Sequence, residues 1–98
     1  GSSPLGELVA RHREEIISTV AQAGARNVRV FGSVARGDDD RSSDIDLMID
    51  IPSPFSLFDL ERLRLQLVEV LGHEVDLIPA RGLKGAIENR AMREAVPL

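Results

Sequence analysis

Asp44-Ile45-Asp46 interrupts an apolar alternation that runs from Asp44 to Ile51. On an extended strand, residues two apart project from the same face, with Cα atoms about 6 to 7 Å apart. Two carboxylates held side by side repel, and each raises the other's pKa. A cation makes the pair favourable. Mg²⁺ suits it because it takes hard oxygen ligands and is often held by one or two carboxylates plus substrate phosphates. A solvated strand face would carry the same Asp-x-Asp, so the pair alone decides nothing. Asp76, mid-strand in Glu74-Val-Asp-Leu-Ile78, adds a third acid that a neighbouring strand could bring to the first two. Three convergent carboxylates fit a two-metal site, with ions about 3.5 to 4 Å apart, that activates one oxygen and stabilises another as it leaves. Glu74 shares Asp76's face but lies nearer the strand start, and a surface role is expected for it.

Gly32-Ser33 precedes Asp44 by ten intervening residues. Glycine permits a tight turn and close backbone approach. The serine adds a hydroxyl and opens Val34-Ala35-Arg36, whose amides can face an anion. A Gly-Ser pair is usually just a turn; its spacing to the Asp-x-Asp makes the pattern specific. Arg36 could meet a phosphate or carboxylate, or form a structural ion pair. Ser43 could cap its turn or reach a phosphate. Lys84 reads as a solvated lysine at the start of a helix, and Asp38, Asp39 and Asp40 as a solvated loop. An EF-hand would need Gly at 43 and Glu at 49, where the chain has Ser43 and Ile49.

These residues need elements to hold them. Leu5, Leu8, Val9, Ile16 and Val20 recur at helical spacing, with Pro4 in a tolerated first-turn position and Gly24 placed as a stop, which predicts one helix over 4–23. His12 near that stripe takes an ordinary helix-face role. Arg26–Phe31 reads as a strand with Val28 and Val30 on one face. The run Arg36-Gly-Asp-Asp-Asp-Arg-Ser-Ser43 is too polar to be buried. In the strand Asp44–Ile51, Ile45, Leu47, Ile49 and Ile51 point one way and Asp44, Asp46, Met48 and Asp50 the other. A helix over 55–71, closed by Gly72, is expected to bury Leu57, Leu60, Leu63, Leu67, Val70 and Leu71. Glu74–Pro79 is a third strand, and a last helix is expected over 83–95. This order predicts a small α/β (α+β) domain whose third strand lies beside the central one.

Ninety-eight residues suffice for one small domain, expected over 4–98. Gly1-Ser2 without a Met reads as a tag scar. Only three Phe, and no Trp or Tyr, leave no stacking platform for single-stranded nucleic acid. A net charge of −4 without a basic run also argues against direct nucleic-acid binding. Absent Cys excludes disulfides and thiolate metal sites and fits a cytoplasmic location. No apolar run reaches membrane-span length and no signal peptide opens the chain.

Phe31-Gly-Ser-Val-Ala-Arg-Gly37, followed by Ser43-Asp-Ile-Asp-Leu47, resembles the minimal nucleotidyltransferases of the DNA polymerase beta superfamily. The resemblance extends to Val75-Asp76-Leu77 and the closing Arg93-Glu-Ala-Val96, and is nearest to short antitoxins paired with HEPN-domain toxins. It implies the small nucleotidyltransferase fold, with a short mixed sheet of about three strands flanked by about four helices. It implies that Gly32 and Ser33, with Arg36 and Ser43 as further candidates, meet the nucleotide. Asp44, Asp46 and Asp76 would hold Mg²⁺, and Asp76 would also help activate an acceptor hydroxyl. The implied reaction is transfer of AMP from ATP to a hydroxyl, a tyrosine's, on a HEPN-type toxin. A non-catalytic antitoxin that neutralises its toxin by contact is the competing expectation. A polymerase or RNA-tailing role fits poorly with the acidic charge and the lack of room for an acceptor-presenting domain.

Overall fold

The computed structural model describes residues 3–40, 42–80 and 93–98. Its elements in chain order are α1 (Pro4–Arg11), α2 (Arg13–Gln22), β1 (Arg26–Phe31), α3 (Gly32–Arg36), β2 (Ile45–Asp50), α4 (Leu57–Leu71), β3 (Val75–Pro79) and β4 (Val96–Pro97). The strands form one mixed sheet in the order β3-β2-β1-β4. β1 is antiparallel to both β2 and β4, and β3 is parallel to β2. Parallel neighbours require a crossover, which α4 supplies. The result is an α+β fold with a four-stranded mixed sheet, one strand more than expected.

The expected helix over 4–23 is two helices. His12 leaves helical geometry at φ −104° and ψ 17°, closing α1 and opening α2. The apolar stripe survives the break: Leu5 and Val9 of α1 and Ile16 and Val20 of α2 are all buried. They meet Leu63, Leu67 and Leu71 of α4 over one face of the sheet, where Val30, Ile45, Leu47, Ile49, Val75 and Leu77 complete the core. Each fully buried aliphatic side chain contributes about 1.5 to 3 kcal/mol relative to exposure, so this layer is the main force holding β2 and β3 in place.

α4 begins at Leu57, two residues later than expected, because Ser56 caps it, and Leu57 is exposed at this first turn rather than part of the buried stripe. The Ser56 hydroxyl accepts the Asp59 N–H at 3.0 Å, and the Asp59 carboxylate accepts the Ser56 N–H at 2.8 Å. On the second face of the sheet Met48 is fully buried, with Arg29 as its cross-strand partner. Arg29 is itself buried and donates to Asp50 Oδ1 at 2.6 Å, while Asn27 donates to Asp50 Oδ2 at 3.0 Å. The helix expected over 83–95 lies outside the described residues except for Arg93 and Glu94, which are helical, and Ala95, which is not. No described helix is long and apolar enough to cross a membrane.

Candidate active site

The parallel register of β2 and β3 sets Asp46 directly beside Asp76. Register partners share a face, so both carboxylates leave the sheet on the side opposite Leu47 and Leu77. Asp44 precedes β2, where the Ile45 N–H donates to the Glu74 carbonyl at 3.1 Å and sets the strand entry. Asp44 and Asp76 are exposed and Asp46 is half-buried. Burial, and then the charges of Asp76 and Asp44, push the Asp46 carboxyl up to about 6, against an opposing pull from Arg36. All three sequence-derived acids therefore act on one place.

Gly32-Ser33 closes on the same place from β1. Phe31 is the antiparallel register partner of Asp46, and the chain turns into α3 immediately after it. Gly32 has φ 71°, in the left-handed region, and a Cβ there would lie 3.1 Å from Asp46 Cγ and nearer still to Oδ2. Only glycine lets the backbone pass this carboxylate without strain. The N-cap residue Phe31 offers no side-chain cap to the first amides of α3. Gly37, at φ 78°, ends the helix; its N–H donates to the Val34 carbonyl at 3.2 Å, and the Asp38 N–H donates to the Ser33 carbonyl at 3.0 Å. These two bonds form a Schellman closure that ties Ser33 to the following loop.

Arg36 forms two ion pairs within the chain. Its Nε donates to Asp38 Oδ2 at 3.2 Å and its Nη1 to Glu94 Oε2 at 3.0 Å. Ser43 is engaged within the loop, its hydroxyl accepting the Asp40 N–H at 3.1 Å. Hydrogen bonds from Ser42, foremost its hydroxyl, hold the Asp40 carboxyl below the usual range. Asp39 overturns the expectation of a uniformly solvated acidic loop. It is 9 % exposed, its Oδ2 accepts the Leu5 N–H of α1 at 3.0 Å, and its Oδ1 is buried with no partner among the described residues. The pull is long-range, from an α1 amide left open at the helix start. Glu94 was not among the sequence candidates: it sits 58 residues from Arg36, and no local pattern links the two. Lys84 lies outside the described residues.

The donor set suits Mg²⁺. It consists of carboxylate oxygens, all hard ligands, and a cation there would offset both the burial and the neighbouring charges of Asp76 and Asp44 that raise Asp46. Among the described residues, no three acidic or imidazole side chains are drawn together tightly enough to form a ready-made metal cage. The acids share one end of the sheet as a cluster, with two of its three members on the exposed rim.

Comparison with known proteins bears on this arrangement. The family model for the nucleotidyltransferase domain matches residues 11–98. The protein adenylyltransferase MntA of Thermococcus cleftensis is 33% identical over 89 residues, covering 91% of this chain and 87% of the relative. A solved structure of a candidate minimal nucleotidyltransferase superposes with a TM-score of 0.86 at 42% identity, over the full length of both chains. A toxin-antitoxin structure with AMP-PNP matches with a TM-score of 0.76 at 21% identity, over 86% of this chain and 69% of that one, and speaks to fold alone. From the matched family model and from identity over most of the MntA relative, this chain belongs to the nucleotidyltransferase domain family.

Proposed function

We propose that this chain is a protein adenylyltransferase that acts as an antitoxin, transferring AMP from ATP to a tyrosine hydroxyl of a HEPN-type partner toxin in the cytoplasm. The observation that carries this reading is the Asp46–Asp76 register pair, with Asp44 beside it and the Gly32-Ser33 turn packed against Asp46. The relationship to MntA supports protein as the acceptor class.

In this reading the Ser33 hydroxyl and the opening amides of α3 hold the triphosphate, and Gly32 brings that backbone close to the acids. Asp44, Asp46 and Asp76 would hold Mg²⁺, which when bound supplies positive charge against the oxygens that attack and leave. Asp76 accepts the proton of the acceptor hydroxyl as its oxygen bonds to the α-phosphorus. The bond between the α-phosphorus and the bridging oxygen breaks, and pyrophosphate departs with that electron pair.

Intact-mass spectrometry of the toxin, after incubation with this chain, ATP and Mg²⁺, tests the reading. Wild type adds one or more AMP units, Ser33→Ala does so more slowly, and Asp76→Asn hardly at all. If wild type and Asp76→Asn neutralise the toxin equally and neither modifies it, the chain acts by stoichiometric contact and the transferase reading is wrong.

A further inference from the structure

The cradle that carries Ser33 ends in an arginine whose position is set from elsewhere in the chain. Arg36 closes α3, and its guanidinium is gripped on two edges: Nε by Asp38 at 3.2 Å and Nη1 by Glu94 at 3.0 Å. Among the described residues, nothing accepts from Nη2. Both anchors are themselves fixed. Asp38 is bound through its N–H to the Ser33 carbonyl. Glu94 leads into β4, which is registered on β1 through Val30 and Val96, and the Leu98 N–H donates to the Val28 carbonyl at 3.1 Å. The closing segment therefore has its own backbone hold and does not need the ion pair to stay in place. The Arg36 and Glu94 side chains are 47% and 29% exposed, and pairs this open add little to stability. What the pair does accomplish is geometric: it removes the freedom of a long side chain next to the acid cluster.

We infer that Glu94 is a positioning residue of the nucleotide site, which with Asp38 fixes the Arg36 guanidinium so that its Nη2 edge receives the phosphates of a nucleoside triphosphate. This rests on the nucleotidyltransferase reading of the site given above. Arg36 ends the one-turn helix α3 that begins at Gly32, the residue packed against Asp46. An untethered guanidinium beside three carboxylates would swing onto them and compete with the cation they are suited to hold. Holding it by Nε and Nη1 keeps it off the acids and leaves one donor edge for an anion.

The test is calorimetric titration of the full chain with α,β-methylene-ATP and Mg²⁺, on wild type, Glu94→Ala, Glu94→Gln, Arg36→Ala and the Arg36→Ala/Glu94→Ala double variant, with a thermal melt of each. Glu94→Ala weakens binding by about tenfold with little change in melting temperature, as expected for loss of an oriented charge-assisted contact. Glu94→Gln, which keeps an acceptor oxygen, falls between it and wild type. The double variant binds no worse than Arg36→Ala, because Glu94 acts only through Arg36. Glu94→Ala affinity within about twofold of wild type, or losses that multiply in the double variant, overturn the inference while leaving the nucleotide site standing. Wild type that binds no nucleotide overturns the site and the inference together.

Discussion

Gly32 and Asp46 compete for one volume: a Cβ added to Gly32 would lie 3.1 Å from Asp46 Cγ and closer still to Oδ2. The Gly32 turn and the half-buried acid are thus a single packed unit, although one follows β1 and the other lies in β2. Neither can change size without displacing the other.

Gly32→Ala should therefore damage the site more than an ordinary turn substitution. The left-handed φ of 71° adds backbone strain to the overlap. A stability loss of about 1 to 3 kcal/mol is expected in urea titration, with loss of nucleotide binding by calorimetry. An alanine variant with wild-type stability and affinity would show that the turn relaxes freely.

Asp46 should make metal-free stability fall as pH rises. Its carboxyl is moved from 3.8 in the ordinary case to about 6 in the fold. Between those values the folded state holds the proton more tightly than the unfolded state, so stability declines across that window and the full penalty stands above it. At 1.36 kcal/mol per unit, less solvent screening, Asp46→Asn should gain on the order of 1 to 2 kcal/mol at pH 7.5 in chelator. The gain should vanish near pH 4. A variant less stable than wild type at pH 7.5 would contradict the assigned cause.

Mg²⁺ should reverse that penalty. Binding only to the folded state stabilises it by mass action, by about 2.7 kcal/mol at one hundred times the dissociation constant. The melting temperature of wild type should rise with Mg²⁺ and ATP, and that of the Asp44→Asn/Asp46→Asn double variant should not respond to the metal. Equal responses in the two proteins would remove the acids from metal binding.

Asp39→Ala should cost about 1 to 2 kcal/mol, since it strips the acceptor from the Leu5 N–H at the start of α1. Asp39→Asn keeps an acceptor and removes a buried charge, so its denaturation midpoint should stay close to wild type. Equal losses in both variants would mean that the charge, not the acceptor, holds the contact.

Much of this site was legible in the sequence because its parts obey short periods. The alternation around Asp44-Ile45-Asp46 oriented β2, and a parallel neighbour carrying Asp76 then had one register that buries Leu47 and Leu77 on the same side. That register sets Asp46 beside Asp76, and the antiparallel pairing of Phe31 with Asp46 brings Gly32 against it. What escaped depends on distant partners. The break at His12 leaves Leu5, Val9, Ile16 and Val20 in phase, so the hydrophobic pattern carries no trace of it. β4 is two residues long, too short for any alternation, and includes Pro97, which lacks an N–H to donate and is tolerated on an edge strand. Asp39 looks like its neighbours Asp38 and Asp40, and only a helix amide 34 residues away distinguishes it.

That same Leu5–Asp39 bond gives α1 a reach beyond its own packing. The family match begins at residue 11, so most of α1 lies ahead of it. Yet the loop leading into Asp44 is stapled to α1 by this bond, and elsewhere it is bonded largely to itself through Asp40, Ser42 and Ser43. The bond couples the position of the loop to the start of α1, so solvent exchange of the Leu5 amide would report when that support is lost. A chain trimmed to the family boundary would keep Asp44, Asp46 and Asp76 and lose the staple that holds the approach to them.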